Sequence, residues 1–304
     1  MTTGLSSRTV RADLSRILVE TVRLGEDVGG SPTWADPLRA SRAGTELAEE
    51  EANHPQPETG SWPWLLTLRF SRLALKVAAD EARWTALVIA DATSTSYAID
   101  VLSRAVLEAT SLVWWLLDPE IPRARRSARM LLYRLNGARE ADKADRALRA
   151  GVNGAQAAEW EPPERVREEI RDYGFALSHD DKSVTWDEEK EFLPGYTDRT
   201  SQFVKHVWSG DASGFAYRFL SAVAHAEVLG LVRNVELTGG ADHLQPEPFW
   251  IWFDTYLTVG SLVLANHRAA DFLGLKDCGE RLSLWADYAQ SRLQTLQPPT
   301  PPRA

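Results

Sequence analysis

The apolar and polar positions of this chain repeat with the period of an α-helix along most of its length. Between residues 8 and 24, five apolar side chains recur at helical spacing, and Gly25 ends the pattern. Longer apolar repeats occupy residues 64–91 and 93–117, and the second stops before Pro119 because proline cannot continue a helix. The pattern therefore predicts a first amphipathic helix followed by long, buried helices.

Further helical patterns follow, separated by segments rich in proline, glycine and polar residues. The additional predicted helices cover residues 122–150, 162–177, 199–208, 215–237, 249–272 and 279–296. We expect connections at 25–63, with one short helix near 39–51, and at 178–198. Because no alternating apolar and polar run persists long enough to indicate a sheet, the sequence predicts an all-α fold, a multi-helix bundle of about eight to ten helices.

The same pattern predicts the domain organisation. Residues 1–62 form an N-terminal helix and an irregular linker, residues 63–296 form the helical bundle domain, and residues 297–304 form a disordered tail. The first residues lack the apolar stretch of a signal peptide, and the longest apolar windows are too short and too charged to span a bilayer. We expect a soluble, cytoplasmic protein that does not associate with membranes.

Composition and motifs exclude several function classes. A net charge of -9 argues against general affinity for nucleic acid, because phosphate backbones favour a basic surface. A single cysteine, Cys278, excludes an internal disulfide and a cysteine-rich metal cluster, and the sequence contains no phosphate-binding loop, nucleophile elbow or zinc helix. We predict no metal and no cofactor.

Charge is distributed unevenly along the chain. Residues 123–149 carry nine basic and three acidic side chains, whereas residues 159–191 carry five basic and twelve acidic ones. Either two solvated faces attract each other, or the basic face binds an anionic ligand. We favour the first interpretation, because charge runs are usually solvated faces.

Two apolar helices carry polar side chains along one face. On the predicted helix 215–237 these are Tyr217, Arg218, Ser221 and His225, which share one side at 100° per residue. On the helix 93–117 they are Arg104 and Glu108, continued by Ser111 and Trp115.

Buried charges left unpaired cost several kcal/mol, so the two polar faces are expected to meet in one cluster. Such a cluster is either a core network that fixes helix register or a site. In the second case a histidine beside a carboxylate and a hydroxyl moves protons and an arginine holds an anion.

The sequence from Arg218 to His225, RFLSAVAH, resembles the R-x(4–6)-H signature of HEPN domains. These are helical modules of toxin–antitoxin, antiphage and RNA-processing systems, and many are metal-independent ribonucleases. The resemblance implies a HEPN-like core with an N-terminal helical extension, a homodimer, and an RNA or protein partner. It also implies that Arg218 contacts the scissile phosphate and that His225 transfers protons. A second match to the signature joins Arg199 and His206.

Three functions remain open at this stage. The first is a HEPN-like endoribonuclease with Ser221 and Tyr217 beside the motif, and the second is a non-enzymatic interaction module in which the polar cluster is structural. The third is a binder of a small apolar ligand, because the helices are rich in tryptophan and a pocket between helices is a common ligand site. The tryptophans considered for its walls are Trp114, Trp115, Trp250 and Trp252.

Overall fold

The computed structural model describes residues 7–53, 62–91, 96–151, 161–208, 217, 220–221, 236–238, 241–243 and 248–298. Over these ranges the chain is predominantly helical, which confirms the predicted all-α class. The α-helices are α1 (Ser7–Gly29), α2 (Arg42–Asn53), α3 (Pro63–Ala90), α4 (Ser96–Leu116), α5 (Arg123–Gly151), α6 (Pro163–Asp172), α7 (Tyr196–Val207), α8 (Pro248–Leu273) and α9 (Lys276–Leu296). Within these ranges, no helix combines the length and apolarity that crossing a bilayer requires.

The chain divides into two compact units. Unit 1 comprises Met1–Ala43, Ser71–Leu117 and Gly195–Ala304, and unit 2 comprises Gly44–Phe70 and Asp118–Pro194. In unit 1, α8 packs against α1, α4, α7 and α9. Apolar side chains cover most of α8, which is why most of the helix is buried inside the unit. The core of unit 1 includes Leu18, Leu107, Phe203, Leu257 and Leu293.

The helix predicted to end at Gly25 continues to Gly29. A Cβ atom built at Gly25 would lie 2.7 Å from Nδ2 of Asn266 on α8, so this glycine allows the two helices to approach closely. The predicted end was wrong because the sequence does not distinguish a glycine that ends a helix from one that lies inside a helix and permits close packing.

A tight turn joins α8 to α9. Gly274 has a φ of +74°, in the left-handed region, and its N–H donates to the carbonyl of Asp271 at 3.1 Å. The N–H of Leu275 donates to the carbonyl of Ala270 at 2.8 Å. This hydrogen-bond pattern is the Schellman motif, which favours glycine at the left-handed position. Because the turn is short, α9 runs back along α8.

Unit 2 contains α2, α5, α6 and a three-stranded antiparallel sheet in the order β1 (Ala176–Leu177), β2 (Ser183–Trp186), β3 (Glu189–Phe192). The predicted extension of α6 to Leu177 and the predicted connection over 178–198 are wrong here. The strands are too short for their alternation to be recognised, and α6 ends at Asp172, two residues before Gly174, which has a φ of +78°.

The arginines of α5 form ion pairs with carboxylates of unit 2. The side chain of Arg126 is 0% exposed, and its Nε lies 3.0 Å from Oε2 of Glu46. Nε of Arg129 lies 3.0 Å from Oε1 of Glu191. Further pairs join Arg134 to Glu161 and Glu169 at 2.7 and 2.8 Å, and Arg123 to Glu50. The pairs with Glu161, Glu169 and Glu191 support the interpretation in which the basic and acidic segments attract each other.

The helix predicted over 215–237 falls largely outside the described residues. Residues 217, 220 and 221 are helical. The predicted end is wrong, because β4 (Glu236–Thr238) pairs with β5 (Ala241–His243) in an antiparallel hairpin. In the sequence a Gly-Gly dipeptide separates these two strands, a signal typical of hairpins that the helical interpretation overlooked.

Candidate functional site

Glu108 of α4 joins the two polar faces considered in the sequence. Its Oε1 accepts a hydrogen bond from Nε of Arg104 at 2.7 Å and another from the Tyr217 hydroxyl at 2.9 Å. The Arg104 guanidinium also lies over the Tyr217 ring, 5.7 Å from its centroid. The structure therefore brings together Arg104, Glu108 and Tyr217.

Arg199 of α7 extends this network further into unit 1. Its Nε donates to Oγ of Ser111 at 3.2 Å, and Ser111 Oγ lies 3.3 Å from the hydroxyl of Thr200. Arg199 is 3% exposed, and Ser111 and Thr200 are 0% exposed. Sequence reasoning did not assign Arg199 to the cluster, although its place in the second R-x6-H match was a signal for it.

Mutual contacts set the ionisation of the network. Burial raises the pKa of the Tyr217 hydroxyl, and its hydrogen bond to Glu108 and the charge of that carboxylate raise the pKa further. Burial alone would lower the pKa of Arg104, but its hydrogen bond and charge interaction with Glu108 raise the pKa overall. Both groups are therefore held in their protonated forms, which suits a structural network better than a proton donor at neutral pH.

Four other residues were predicted to belong to the site. Ser221 is helical and half-buried, and Trp115 is buried in α4. Arg218 and His225 lie outside the described residues, so the roles expected for them remain predictions.

A cavity of about 380 Å³ lies elsewhere in unit 1, along α8 and α9 and beside the end of α7. Most of its lining is apolar, and a few polar side chains join it. The lining includes His206, Val259, Gly260, Val263, Leu264, His267, Ser283, Ala286, Ala289, Gln290 and Leu293. Its volume is within the roughly 300–1,000 Å³ typical of small-molecule sites.

Two side chains that line the cavity, His267 and Ser283, form a hydrogen-bonded chain with Asp271. Nδ1 of His267 lies 3.1 Å from Oδ2 of Asp271, and Nε2 of His267 lies 3.1 Å from Oγ of Ser283. His267 and Asp271 are one turn apart on α8, and the Gly274 turn brings Ser283 of α9 beside them. A serine, a histidine and a carboxylate in this order can activate the serine oxygen.

The cavity differs from the pocket expected from the tryptophans. None of the four tryptophans considered in the sequence lines it. Two of them support its walls: the Trp114 ring packs on the His206 ring with centroids 4.7 Å apart, and Nε1 of Trp252 donates to the carbonyl of Leu293 at 2.7 Å. Trp114, Trp250 and Trp252 pack in or against the hydrophobic core of unit 1.

Sequence reasoning did not identify Ser283, His267 or Asp271. The spacing of His267 and Asp271, four residues on one helix, was a visible signal, but Ser283 joins them only through the hairpin. Among the described residues, no three histidine, cysteine or acidic side chains are grouped so that they could hold a metal ion.

We compared the chain with known protein families, curated proteins and solved structures. No protein-family model, no curated protein and no solved structure matches the chain.

Proposed function

We propose that this protein binds a small, mainly apolar molecule in the cavity along α8 and α9. The observation that carries the proposal is the cavity itself, which combines a volume of about 380 Å³ with apolar walls and a few polar groups. Apolar walls supply affinity by removing ligand surface from water, and isolated polar groups orient the ligand.

The walls of the cavity are well supported. Ala289 and Leu293 on α9 are 1% and 2% exposed, and Val259 on α8 is 3% exposed. At Gly260 a Cβ atom would lie 2.7 Å from Cγ1 of Val207, so α7 and α8 are in close contact beside the cavity. A cavity bordered by tightly packed helices is largely pre-formed, which reduces the entropy lost on binding.

The proposal is tested by titrating the protein with N-phenyl-1-naphthylamine, a small neutral probe whose fluorescence rises when it leaves water. We expect saturable binding to the wild type, and a loss of at least about tenfold in affinity in Ala286→Phe, which fills the cavity with a ring. Circular dichroism establishes that the variant is folded.

A matched control is available in unit 1. A second cavity of about 290 Å³, lined by Ala79 together with charged residues such as Lys76, Asp80 and Arg83, lies beside α1 and α3. Ala79→Phe makes the same substitution at a half-buried helical alanine, and we expect it to leave probe binding unchanged. Absence of saturable binding to the wild type, or equal losses in both variants, would contradict the proposal.

The resemblance to HEPN domains supports a second candidate, a metal-independent ribonuclease that uses Arg218 and His225 in a homodimer. The supporting observation is the hydrogen bond from Tyr217 to Glu108, because Tyr217 precedes Arg218 in the chain. Arg104, whose guanidinium lies over the Tyr217 ring 5.7 Å from its centroid, is a cationic side chain of the type that binds RNA phosphates.

This candidate is tested by incubating a pooled RNA substrate, without added metal, with the wild type and with His225→Ala. Cleavage by the wild type that disappears in the folded variant supports a ribonuclease. No cleavage by the wild type, or equal cleavage by both proteins, contradicts it.

A further inference from the structure

We propose that Ser283, His267 and Asp271 form a hydrolytic centre that cleaves an ester or thioester whose apolar acyl group occupies the cavity. This inference rests on the proposed function, since it assigns a substrate class to the same cavity. It begins from the two distances of 3.1 Å that join the three side chains in sequence.

Asp271 sets the tautomer of His267. Its Oδ2 accepts the Nδ1 proton, so Nε2 keeps a lone pair that faces Ser283 Oγ. Oγ also lies 3.1 Å from the carbonyl oxygen of Gly279, one turn earlier on α9. Its single proton therefore has two acceptors, and rotation about the Cβ–Oγ bond directs it to Nε2 without moving a heavy atom.

The reaction balances with water as the co-reactant. Ser283 Oγ attacks the acyl carbonyl carbon while its proton passes to His267 Nε2, and the bond to the leaving oxygen or sulfur breaks as that atom takes the proton from Nε2. Water then attacks the acyl–serine ester and gives a proton to Nε2. The carboxylic acid leaves, and Oγ regains the proton from Nε2.

The position of the three side chains indicates an extended acyl group. Ser283 and His267 line the same cavity as Gln290 and Leu293. At 1.5 Å per residue, Leu293 lies about 15 Å from Ser283 along α9, so the cavity extends well beyond the serine. An acyl chain lying along this apolar path would place its carbonyl at Ser283.

Accessibility also suits a reaction. The side chains of His267 and Asp271 are 38% and 68% exposed, and Ser283 is exposed, so water and substrate reach the nucleophile. The same exposure means that substituting Ser283 does not disturb the core. The reactive group can therefore be tested separately from the fold.

The experiment uses the full chain and an alkyl fluorophosphonate. Ser283 Oγ forms a bond to phosphorus, fluoride leaves, and His267 takes the serine proton. We expect mass spectrometry of peptides to locate the label on Ser283 in the wild type. Labelling is expected to be absent in Ser283→Ala and strongly slowed in His267→Gln.

Hydrolysis of 4-nitrophenyl octanoate provides the second readout. We expect Ser283→Ala to lower kcat/KM by about 100-fold or more, in line with the loss of an activated nucleophile. Ser291→Ala is the matched control, because Ser291 is an exposed serine on the same helix that does not line the cavity. This control should match the wild type in both labelling and hydrolysis.

Substrate length gives a further check. Gln290→Trp places a ring in the part of the cavity distant from Ser283, and we expect it to lower the rate with the octanoate ester while sparing the acetate ester. An equal effect on both esters would contradict an acyl path along α9.

Measuring N-phenyl-1-naphthylamine binding in the same preparations separates the two proposals. Probe binding by the wild type, with no label on Ser283 or with equal hydrolysis by Ser283→Ala, overturns the hydrolytic centre and leaves the binding function standing. Absence of probe binding by the wild type overturns the binding function itself.

Discussion

Unit 2 and unit 1 differ in what their polar side chains contact. In unit 2, the arginines of α5 form ion pairs with carboxylates, and the pair of Arg126 with Glu46 is almost fully buried. In unit 1, the core is largely apolar and aromatic, and Ser283 and His267 border a cavity. The most conspicuous charges in this sequence pair with one another inside unit 2, whereas the groups for which we propose chemistry are few and border an apolar cavity in unit 1.

Removing one partner of the buried pair in unit 2 should have the largest effect on stability. Arg126→Ala leaves the Glu46 carboxylate buried without its cation, and we expect a loss of about 3–5 kcal/mol in the free energy of unfolding, measured by urea denaturation. Arg146→Ala, on the exposed end of the same helix, should change it by less than about 0.5 kcal/mol. Similar losses in both variants would show that the buried pair is not special.

The close approach of α1 and α8 in unit 1 gives the next largest effect. Gly25→Ala places a methyl group against Asn266, and we expect a loss of about 1–3 kcal/mol from overpacking. In the background of Asn266→Ala the same substitution should be stabilising, because alanine favours a helix and the obstructing amide is gone. Thermal denaturation of the four proteins tests this, and destabilisation in both backgrounds would refute the explanation.

A smaller effect is expected at the network around Glu108. Tyr217→Phe removes one hydrogen bond and should cost about 1 kcal/mol near pH 7. The pKa of Tyr217 is raised in the folded protein, so its contribution is complete below the unfolded pKa of about 10 and is lost as the pH rises through the folded pKa. The stability gap between wild type and variant, followed by thermal denaturation from pH 7 to 11, should narrow above pH 10, and a widening gap would contradict this.

The smallest effect on stability is expected where the chemistry is proposed. Ser283→Ala replaces an exposed helical serine with the best helix former, so the free energy of unfolding should change by less than about 0.5 kcal/mol. Urea denaturation measures this. A loss as large as that of Arg126→Ala would mean that Ser283 supports the fold, as the polar side chains of unit 2 do.

The sequence predicted the parts of the fold that depend on local periodicity. The helical class and most helix positions follow from apolar spacing, as in α8, predicted over 249–272 and observed as Pro248–Leu273. The contact of Glu108 with Tyr217 also follows, because polar groups on buried helices need partners. The short strands β1–β3 were not predicted, since two to four residues carry too little alternation to be seen.

The candidate centre at Ser283 was beyond sequence reasoning for a different reason. His267 and Asp271 are neighbours on one helix, but Ser283 reaches them only because the left-handed Gly274 turns the chain back. A glycine before a helix is common, and its sequence does not specify which side chains the turn will bring together.

The central claim, that the cavity along α8 and α9 holds an apolar ligand, is tested most directly by methyl NMR of the protein labelled at valine and leucine. Addition of N-phenyl-1-naphthylamine should shift the methyl signals of Val263, Leu264 and Leu293, which line the cavity, and leave those of Leu131 and Leu132 in the core of unit 2 unchanged. Shifts confined to residues outside the cavity, or no shifts at saturating probe, would contradict the claim.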